Sequence, residues 1–450
     1  MTDTANPGGY PNRSYAWTVV AILIATAVLS YTDRQVLSLL VDPIRAELHI
    51  TDNEVSLLLG TAFAVVYGVA GIPLGWLADR TSRRNLIFAG VLVWSVGTLA
   101  CGLSQSFGQL FAARIVVGTG EAVLSPAAIS LISDYFPPSR RGTAVGFFLS
   151  GIAMGIGVAI LIGGGVLHLV ESGVLVGTAF ASQPAWRLVL LMIGAPGLLW
   201  SFAILLIREP ARRATEPSDD ARPTEAAPHG GPVPPHPSWR STVVSRTVPV
   251  YLVVAMASLV DNAVGGWAPT LLMREFSKDP AEVGVQLGLV LTAGFGGGVL
   301  IGGWLADRGR WAYKLGVCLV SSLLILPVSL LINVPQFNVV FLSVPLYFAL
   351  SGTVTACGFS AILDVVPNRS RGLAMAISFF LNVALGAGIG PTAVSEASTH
   401  VFGGSAGLGP AITLTVAAGY TIAVAALLVA LLRFRARAHS PEVHRKAPTQ

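Results

Sequence analysis

GWLADR stands at residues 75–80 of the 450-residue chain and again at residues 303–308. A six-residue identity at an offset of 228 suggests an internal duplication, which should carry other landmarks across at nearly the same spacing. Two do follow. Asp33 in YTDRQ maps by 228 onto Asp261 in LVDNA, and DYFPPSRRG, from Asp134 to Gly142, maps by 230 onto DVVPNRSRG, from Asp364 to Gly372. Between the two copies lies EPARRATEPSDDARPTEAAPHGGPVPPHP, residues 209–237, rich in Pro and charge and without apolar periodicity. Such a stretch cannot pack a core and reads as a flexible linker.

The composition says what the halves are made of. The chain is 53% hydrophobic and 11% charged, with a mean hydropathy of +0.70, whereas a soluble domain carries roughly 25% charged residues. A helix crosses a bilayer with about 20 mostly apolar residues. Stretches of that length recur from Ala16 to near Phe434, and they number twelve, six on each side of the linker. The short alternating segments of a membrane β-barrel are not seen. The expected fold is therefore an all-α integral membrane protein: twelve transmembrane helices in two pseudo-symmetric six-helix halves related by an axis along the membrane normal. The expected boundaries are an N-terminal tail at 1–15, an N-terminal half at 16–207, a linker at 208–247, a C-terminal half at 248–434 and a C-terminal tail at 435–450.

A pI near 9.3 raises the question of a nucleic-acid partner, and the placement of the 28 Lys and Arg residues answers it. The termini and even-numbered connections hold nearly all of them; the odd-numbered connections hold only Arg45, Arg187, Arg274 and Lys278. By the positive-inside rule both termini are cytoplasmic, as an even number of spans requires. The basic excess is a topology signal, and nucleic acid is not an expected partner. Two arginines remain, Arg34 and Arg114, and both fall inside spans. Cys101, Cys318 and Cys357 lie in apolar stretches without metal-ligand spacing and read as small core residues. The seven histidines lie in loops, tails or helix ends, with no HExxH spacing and no P-loop elsewhere, so neither an enzyme nor direct use of ATP is expected.

GWLADRTSRR (75–84) resembles the signature between the second and third helices of the major facilitator superfamily, and GWLADRGRW its degenerate second copy. RIVVGTGEA, from Arg114 to Ala122, resembles the Arg-x-x-x-Gly-x-Gly signature of proton-coupled members. GIAMGIGVAILIGGG has the glycines of the drug exporters' fifth-helix signature and lacks its Pro. YTDRQVL taken together with RIVVGTGEA is similar to the spinster-like lipid transporter family, and that resemblance implies that Asp33, Arg34, Arg114 and Glu121 serve coupling and substrate. A related anion-transporting branch shares parts of the pattern.

The physics of the bilayer selects the same positions. An ionisable group near the membrane centre costs at least ~2.5–3.5 kcal/mol, so it usually faces a cavity and a partner. Arg114 and Glu121 are two helical turns apart on one face, about 10 Å along the axis. Asp33 and Arg34 are adjacent and cannot face each other. Arg34 with Glu121 and Asp33 with Arg114 is one charge-balanced arrangement. Asp33 and Glu121 are the expected proton-coupling acids; desolvation and the neighbouring arginine act on the proton affinity of Asp33 in opposite senses. The expected substrate residues are Arg34, Arg114, Asp261, Tyr67, Phe147 and Asn382, with Phe63, Tyr347 and Phe379 as further candidates for the cavity wall. Asn262 replaces Arg34, and Val344 and Ser351 stand where Arg114 and Glu121 map, so the C-terminal half has lost most of the charge. Gly75, Asp79, Arg80, Arg83, Asp134, Asp307 and Arg308 form the expected cytoplasmic gate. The resemblance implies that Asp79 docks near Arg371-Gly372 and Asp307 near Arg141-Gly142, as two latches holding an outward-open state.

The expected function is alternating-access transport of an amphipathic anion such as a lysolipid or sphingoid phosphate, driven by a proton gradient and needing no cofactor or metal. Small organic or aromatic acids are the alternative substrate, and a membrane sensor a third reading. The expected partners are that substrate and the lipid bilayer, the expected state a monomer, and the expected location the cell's inner membrane.

Overall fold

The computed structural model describes residues 10–78, 80–173, 182–210, 239–366, 374, 377–378 and 380–438. The N-terminal half comprises α1 (Arg13–Gln35), α2 (Val41–Leu48), α3 (Asp52–Ser56), α4 (Ala62–Ala78), α5 (Arg83–Leu103), α6 (Phe107–Glu121), α7 (Leu124–Tyr135), α8 (Pro138–Glu171) and α9 (Ala185–Ile204). The C-terminal half comprises α10 (Trp239–Phe276), α11 (Pro280–Arg308), α12 (Trp311–Leu330), α13 (Phe337–Val365), α14 (Gly388–His400) and α15 (Leu408–Ala438). Among the described residues, nine helical stretches are long and apolar enough to cross a membrane. The second span, α3 to α4, is interrupted by a π turn at Leu57–Thr61. The fifth, α8, and the eleventh, ending in α14, complete the twelve. Polar residues set the starts. Ser82, Ser106 and Asp279 accept backbone N–H groups as N-caps of α5, α6 and α11, and Thr51 closes a capping box with Glu54 before α3, satisfying donors that a helix start leaves free.

Where the sequence reads one continuous fourth span, the chain breaks between Glu121 and Leu124. Pro126 is the physical reason: it lacks an N–H and its ring clashes with the carbonyl four residues back, that of Ala122. A second π turn, Asn382–Ala387, precedes Pro391, whose missing donor disturbs the ladder at Ala387 in the same way. The two π turns face each other across the halves. Thr61 Oγ1 donates to Gly388 O at 3.0 Å, and Gly60 packs so closely on Ala387 and Pro391 that a Cβ has no room.

The duplication is visible in the packing as well as in the sequence. In the first half Arg83 pairs with Asp134 and donates to Ser130 Oγ at 3.3 Å. In the second, Lys314 pairs with Asp364 at 2.6 Å and donates to Ser360 Oγ at 3.0 Å. All three positions correspond within an offset of 230–231. Each set ties the third helix of its half to the fourth, at the end of the bundle that carries the GWLADR copies.

The halves meet most tightly toward the opposite end. Arg274 at the end of α10 reaches two acids of the first half, Asp42 at 2.6 Å and Asp52 at 2.9 Å. Arg45 also binds Asp52, at 3.0 Å. Asn53 donates to Glu396 Oε1 at 2.8 Å, and Thr270 Oγ1 donates to Ser38 O at 3.2 Å. Between α8 and α11, Gly157, Gly164, Gly284 and Gly288 let two backbones touch, the role small residues play in lipid, where apolar bulk gives no net drive to associate.

At the GWLADR end, the last described residues of the first half are held rather than loose. Glu209 accepts from Arg83 Nε at 2.8 Å, Arg84 N at 2.8 Å and Ser82 Oγ at 3.0 Å, placing a negative charge on the positive start of α5. Burial alone pushes its carboxyl up, but the Arg84 N–H and the Arg83 guanidinium outweigh that and hold it below the usual range. A carboxylate lowered on folding stabilises the fold above its unfolded value, near 4.5, and loses that contribution as pH falls through the folded value. Glu209→Gln is expected to destabilise the protein by ~0.5–1.5 kcal/mol at pH 7, a value kept small by the partial exposure of the side chain. The wild-type and mutant melting curves should converge near pH 3; a gap that persists there contradicts the assignment.

Candidate functional site

The charged site forms where three spans of the first half, the first, second and fourth, depart from regular α-helix. α1 gives way after Gln35 to a 3-10 turn, Val36–Leu39, which places Asp33 and Arg34 in its last turn. The π turn of the second span, Leu57–Thr61, carries the Leu58 carbonyl. The Pro126 break puts Glu121 at the C-terminal end of α6, where a negative charge is unfavourable unless a cation meets it. Arg34 is that cation: its Nη2 pairs with Glu121 Oε2. The guanidinium of Arg34 also lies over the Phe63 ring, 3.7 Å from the centroid, with Tyr31 at 4.9 Å, as suits a planar cation in a desolvated place.

Arg114 does not pair with the Asp33 carboxylate. Its Nε donates to Leu58 O at 3.2 Å and its Nη1 to the backbone oxygen of Asp33 at 3.3 Å. Charge counting suggests a salt bridge at this position; the guanidinium instead sits on two backbone oxygens beside the helix irregularities. Thr98 Oγ1 of α5 donates to Trp94 O at 3.1 Å. Asp33, Arg114 and Glu121 are all buried and Arg34 nearly so. Each of the four keeps one buried polar atom without a partner: Asp33 Oδ1, Arg34 Nε, Arg114 Nη2 and Glu121 Oε1.

The other candidate positions divide. Tyr67 packs on Phe63 with ring centroids 5.2 Å apart, beside Val383 and Ala387 of the second half. Asn382 opens the π turn opposite, its backbone oxygen accepting from Ser258 Oγ at 3.0 Å. Asp261 accepts from Tyr347 and Ser351 within the second half. Phe147 is misplaced by the sequence reading. It is 58% exposed and meets Trp17 edge-on with ring centroids 5.2 Å apart, and Trp17 precedes Asp33 by sixteen residues on one helix, about 24 Å at 1.5 Å per residue. Phe379 lies outside the described residues.

Of the gate residues, Gly75 lies in α4 and Asp79 lies outside the described residues, as do Arg371 and Gly372. Arg80 is exposed and stacks on Trp76 at 3.9 Å. Arg308 does the same on Trp304 at 3.2 Å, and Asp307 is exposed beside it. Arg83 and Asp134 bind each other within the first half. The inter-half polar contacts that sequence reasoning missed are at the other end, around Arg274. Arg274 is one of the four basic residues that the sequence places in odd-numbered connections, and nothing in the sequence names its partners.

The sequence profile of the Major Facilitator Superfamily matches residues 23–391. The chain belongs to the major facilitator superfamily. It is accordingly a multi-pass membrane protein and a secondary transporter, not an enzyme. Over 447 residues this facilitator is 30% identical to an MFS-type efflux pump of Mycolicibacterium smegmatis, covering 96% of each chain. It is 26% identical to a probable L-galactonate transporter of Escherichia coli, over 68% of this chain and 64% of that protein. Among solved structures it resembles a bacterial homolog of the human lysosomal transporter Spinster, in an inward-facing and occupied conformation. The TM-score is 0.72 at 25% identity, and the match covers 96% of this chain and 98% of that one. The spinster-like resemblance carried by YTDRQVL and RIVVGTGEA thus extends over nearly the whole fold.

Proposed function

We propose that this facilitator couples proton movement to the transport of an amphipathic anion through the site at Asp33, Arg34, Arg114 and Glu121. One observation carries the reading: four charged side chains converge, and each leaves one buried polar atom unsatisfied. An unmade buried hydrogen bond costs ~1–3 kcal/mol, so these four atoms are places where a polar group of a bound anion or a proton would be favoured. An anionic headgroup supplies acceptors for Arg34 Nε and Arg114 Nη2, and an incoming proton neutralises one acid as the anion engages the arginines. Phe63 and Tyr67 offer an apolar surface beside the charges for the rest of the molecule.

Closure around Arg274 together with the exposed GWLADR end is the arrangement of a transporter open on the side of its basic loops. By the positive-inside bias that side is the cytoplasm, with both termini, in an inner membrane. Asp307 and Arg308, exposed here, would engage when this end closes. A second reading, uptake of a small organic acid by the same arginines, is favoured by the similarity to a probable L-galactonate transporter.

The two readings separate in proteoliposomes under an imposed pH gradient, with a lysophospholipid and an aldonate offered in parallel. Gradient-dependent movement of the lysolipid alone supports the first, and of the aldonate alone the second. Movement of either at an unchanged rate without the gradient refutes proton coupling.

A further inference from the structure

Asp261 is the acid that the charged site does not use. It is the duplicate of Asp33, but what surrounds it differs in kind. Both polar contacts fall on one oxygen: Tyr347 donates to Oδ1 at 2.7 Å and Ser351 Oγ at 2.6 Å, with Tyr420 of α15 donating to Ser351 at 3.0 Å. Its second oxygen, Oδ2, accepts no hydrogen bond among the described residues, and the residue is partly exposed. In the first half two arginines balance two acids. In the second, both arginines are gone: Asn262 stands for Arg34 and Val344 for Arg114, and the Asn262 amide turns away to donate to Ser258 O at 2.9 Å.

The groups around Asp261 can be enumerated. Its titratable neighbours are Tyr347 from α13 and Tyr420 from α15, with Cys318 of α12 behind Tyr420. The charged residues of α11 and α14, Glu282, Asp307, Arg308, Glu396 and His400, stand in the end turns of their helices. Among the described residues no salt bridge reaches Asp261, and its side-chain hydrogen bonds are those from the Tyr347 and Ser351 hydroxyls. Two donors on one oxygen and none on the other is the arrangement a neutral carboxylic acid adopts, with Oδ1 as its carbonyl and the proton on Oδ2. An ionised carboxylate here has no counter-charge, and the cost of that charge in the membrane is relieved by protonation.

We propose that Asp261 is a second proton-binding site, in the C-terminal half, holding an exchangeable proton on Oδ2 while Tyr347, Ser351 and Tyr420 fix Oδ1. This goes beyond coupling at Asp33 and Glu121 and does not depend on it. The step is simple protonation: the carboxylate takes a proton from water reaching its exposed side and returns it there, with no bond broken elsewhere. It also moves Asp261 from the substrate contacts to the ion-binding groups.

The test is infrared difference spectroscopy on the full chain in lipid nanodiscs, without substrate or gradient. A protonated-carboxyl stretching band should be present near neutral pH, titrate away in alkali, and be missing from Asp261→Asn. Tyr347→Phe keeps the acid and removes one bond to Oδ1, so it should shift the same band. Asp33→Asn should leave it in place. Superposable wild-type and Asp261→Asn spectra in the protonated-carboxyl region overturn the proposal, as does a carboxylate band assigned to Asp261 at neutral pH. Since no transport is measured, a negative result here leaves the first-half coupling standing, and a failure of gradient-driven transport leaves this site standing.

Discussion

Asp33→Asn is expected to abolish uphill transport driven by a pH gradient while leaving substrate counterflow largely intact. The substitution preserves volume and keeps a polar side chain, but it cannot gain or lose a proton. Because Arg114 rests on Leu58 O and the Asp33 backbone oxygen rather than on the carboxylate, removing the charge strips no guanidinium of its ion pair. The variant should therefore fold. Exchange of substrate for substrate moves no net proton and should survive. Accumulation should fall by roughly tenfold or more, since each ~1.4 kcal/mol of lost coupling is a factor of ten. Glu121→Gln should behave differently: it breaks the buried pair with Arg34 and leaves an uncompensated charge, a change that costs ~3–5 kcal/mol in soluble proteins. Stability and counterflow should both suffer. If Asp33→Asn accumulates substrate as wild type does, the coupling acid is another residue.

Gly164→Leu is the second large effect. A Cβ at Gly164 would lie 2.6 Å from Val285 N and 2.7 Å from Gly284 Cα. These are backbone atoms of the facing helix and cannot swing aside, so α8 and α11 must separate. Overpacking of this kind costs ~1–3 kcal/mol, which shifts a two-state equilibrium by roughly 5- to 150-fold. The cost falls only on the state closed at the Arg274 end. The variant should favour the opposite state, lose most of its turnover, and expose a cysteine introduced at Asn53 to a membrane-impermeant reagent. Gly165→Leu is the control, because nothing lies within 4 Å of a Cβ there. Equal labelling and turnover in the two variants would mean that this contact does not close the transporter.

Much of this was legible in the chain before any coordinates. Apolar length fixes helices in a bilayer because no other open structure satisfies the backbone there. The GWLADR, Asp33/Asp261 and DYFPPSRRG/DVVPNRSRG correspondences define two like halves, and the rarity of charge inside spans singles out Asp33, Arg34, Arg114 and Glu121. All of these are local in sequence or set by composition. Partners were not legible in the same way. The pairing of Arg34 with Glu121 was one arrangement among several, and Arg114 sits on backbone oxygens beside a 3-10 turn and a π turn, and a backbone oxygen carries no residue-type signal. Pro126 and Pro391 did mark where helices yield, although a continuous apolar run hid the first. The Arg274 cluster and the glycine contact between α8 and α11 join residues more than a hundred positions apart, so only the folded chain brings them together. The sequence by itself determined which residues carry charge into the membrane. The tertiary structure decided which atoms of those residues are left unsatisfied, because that depends on where each helix breaks and what then faces the gap.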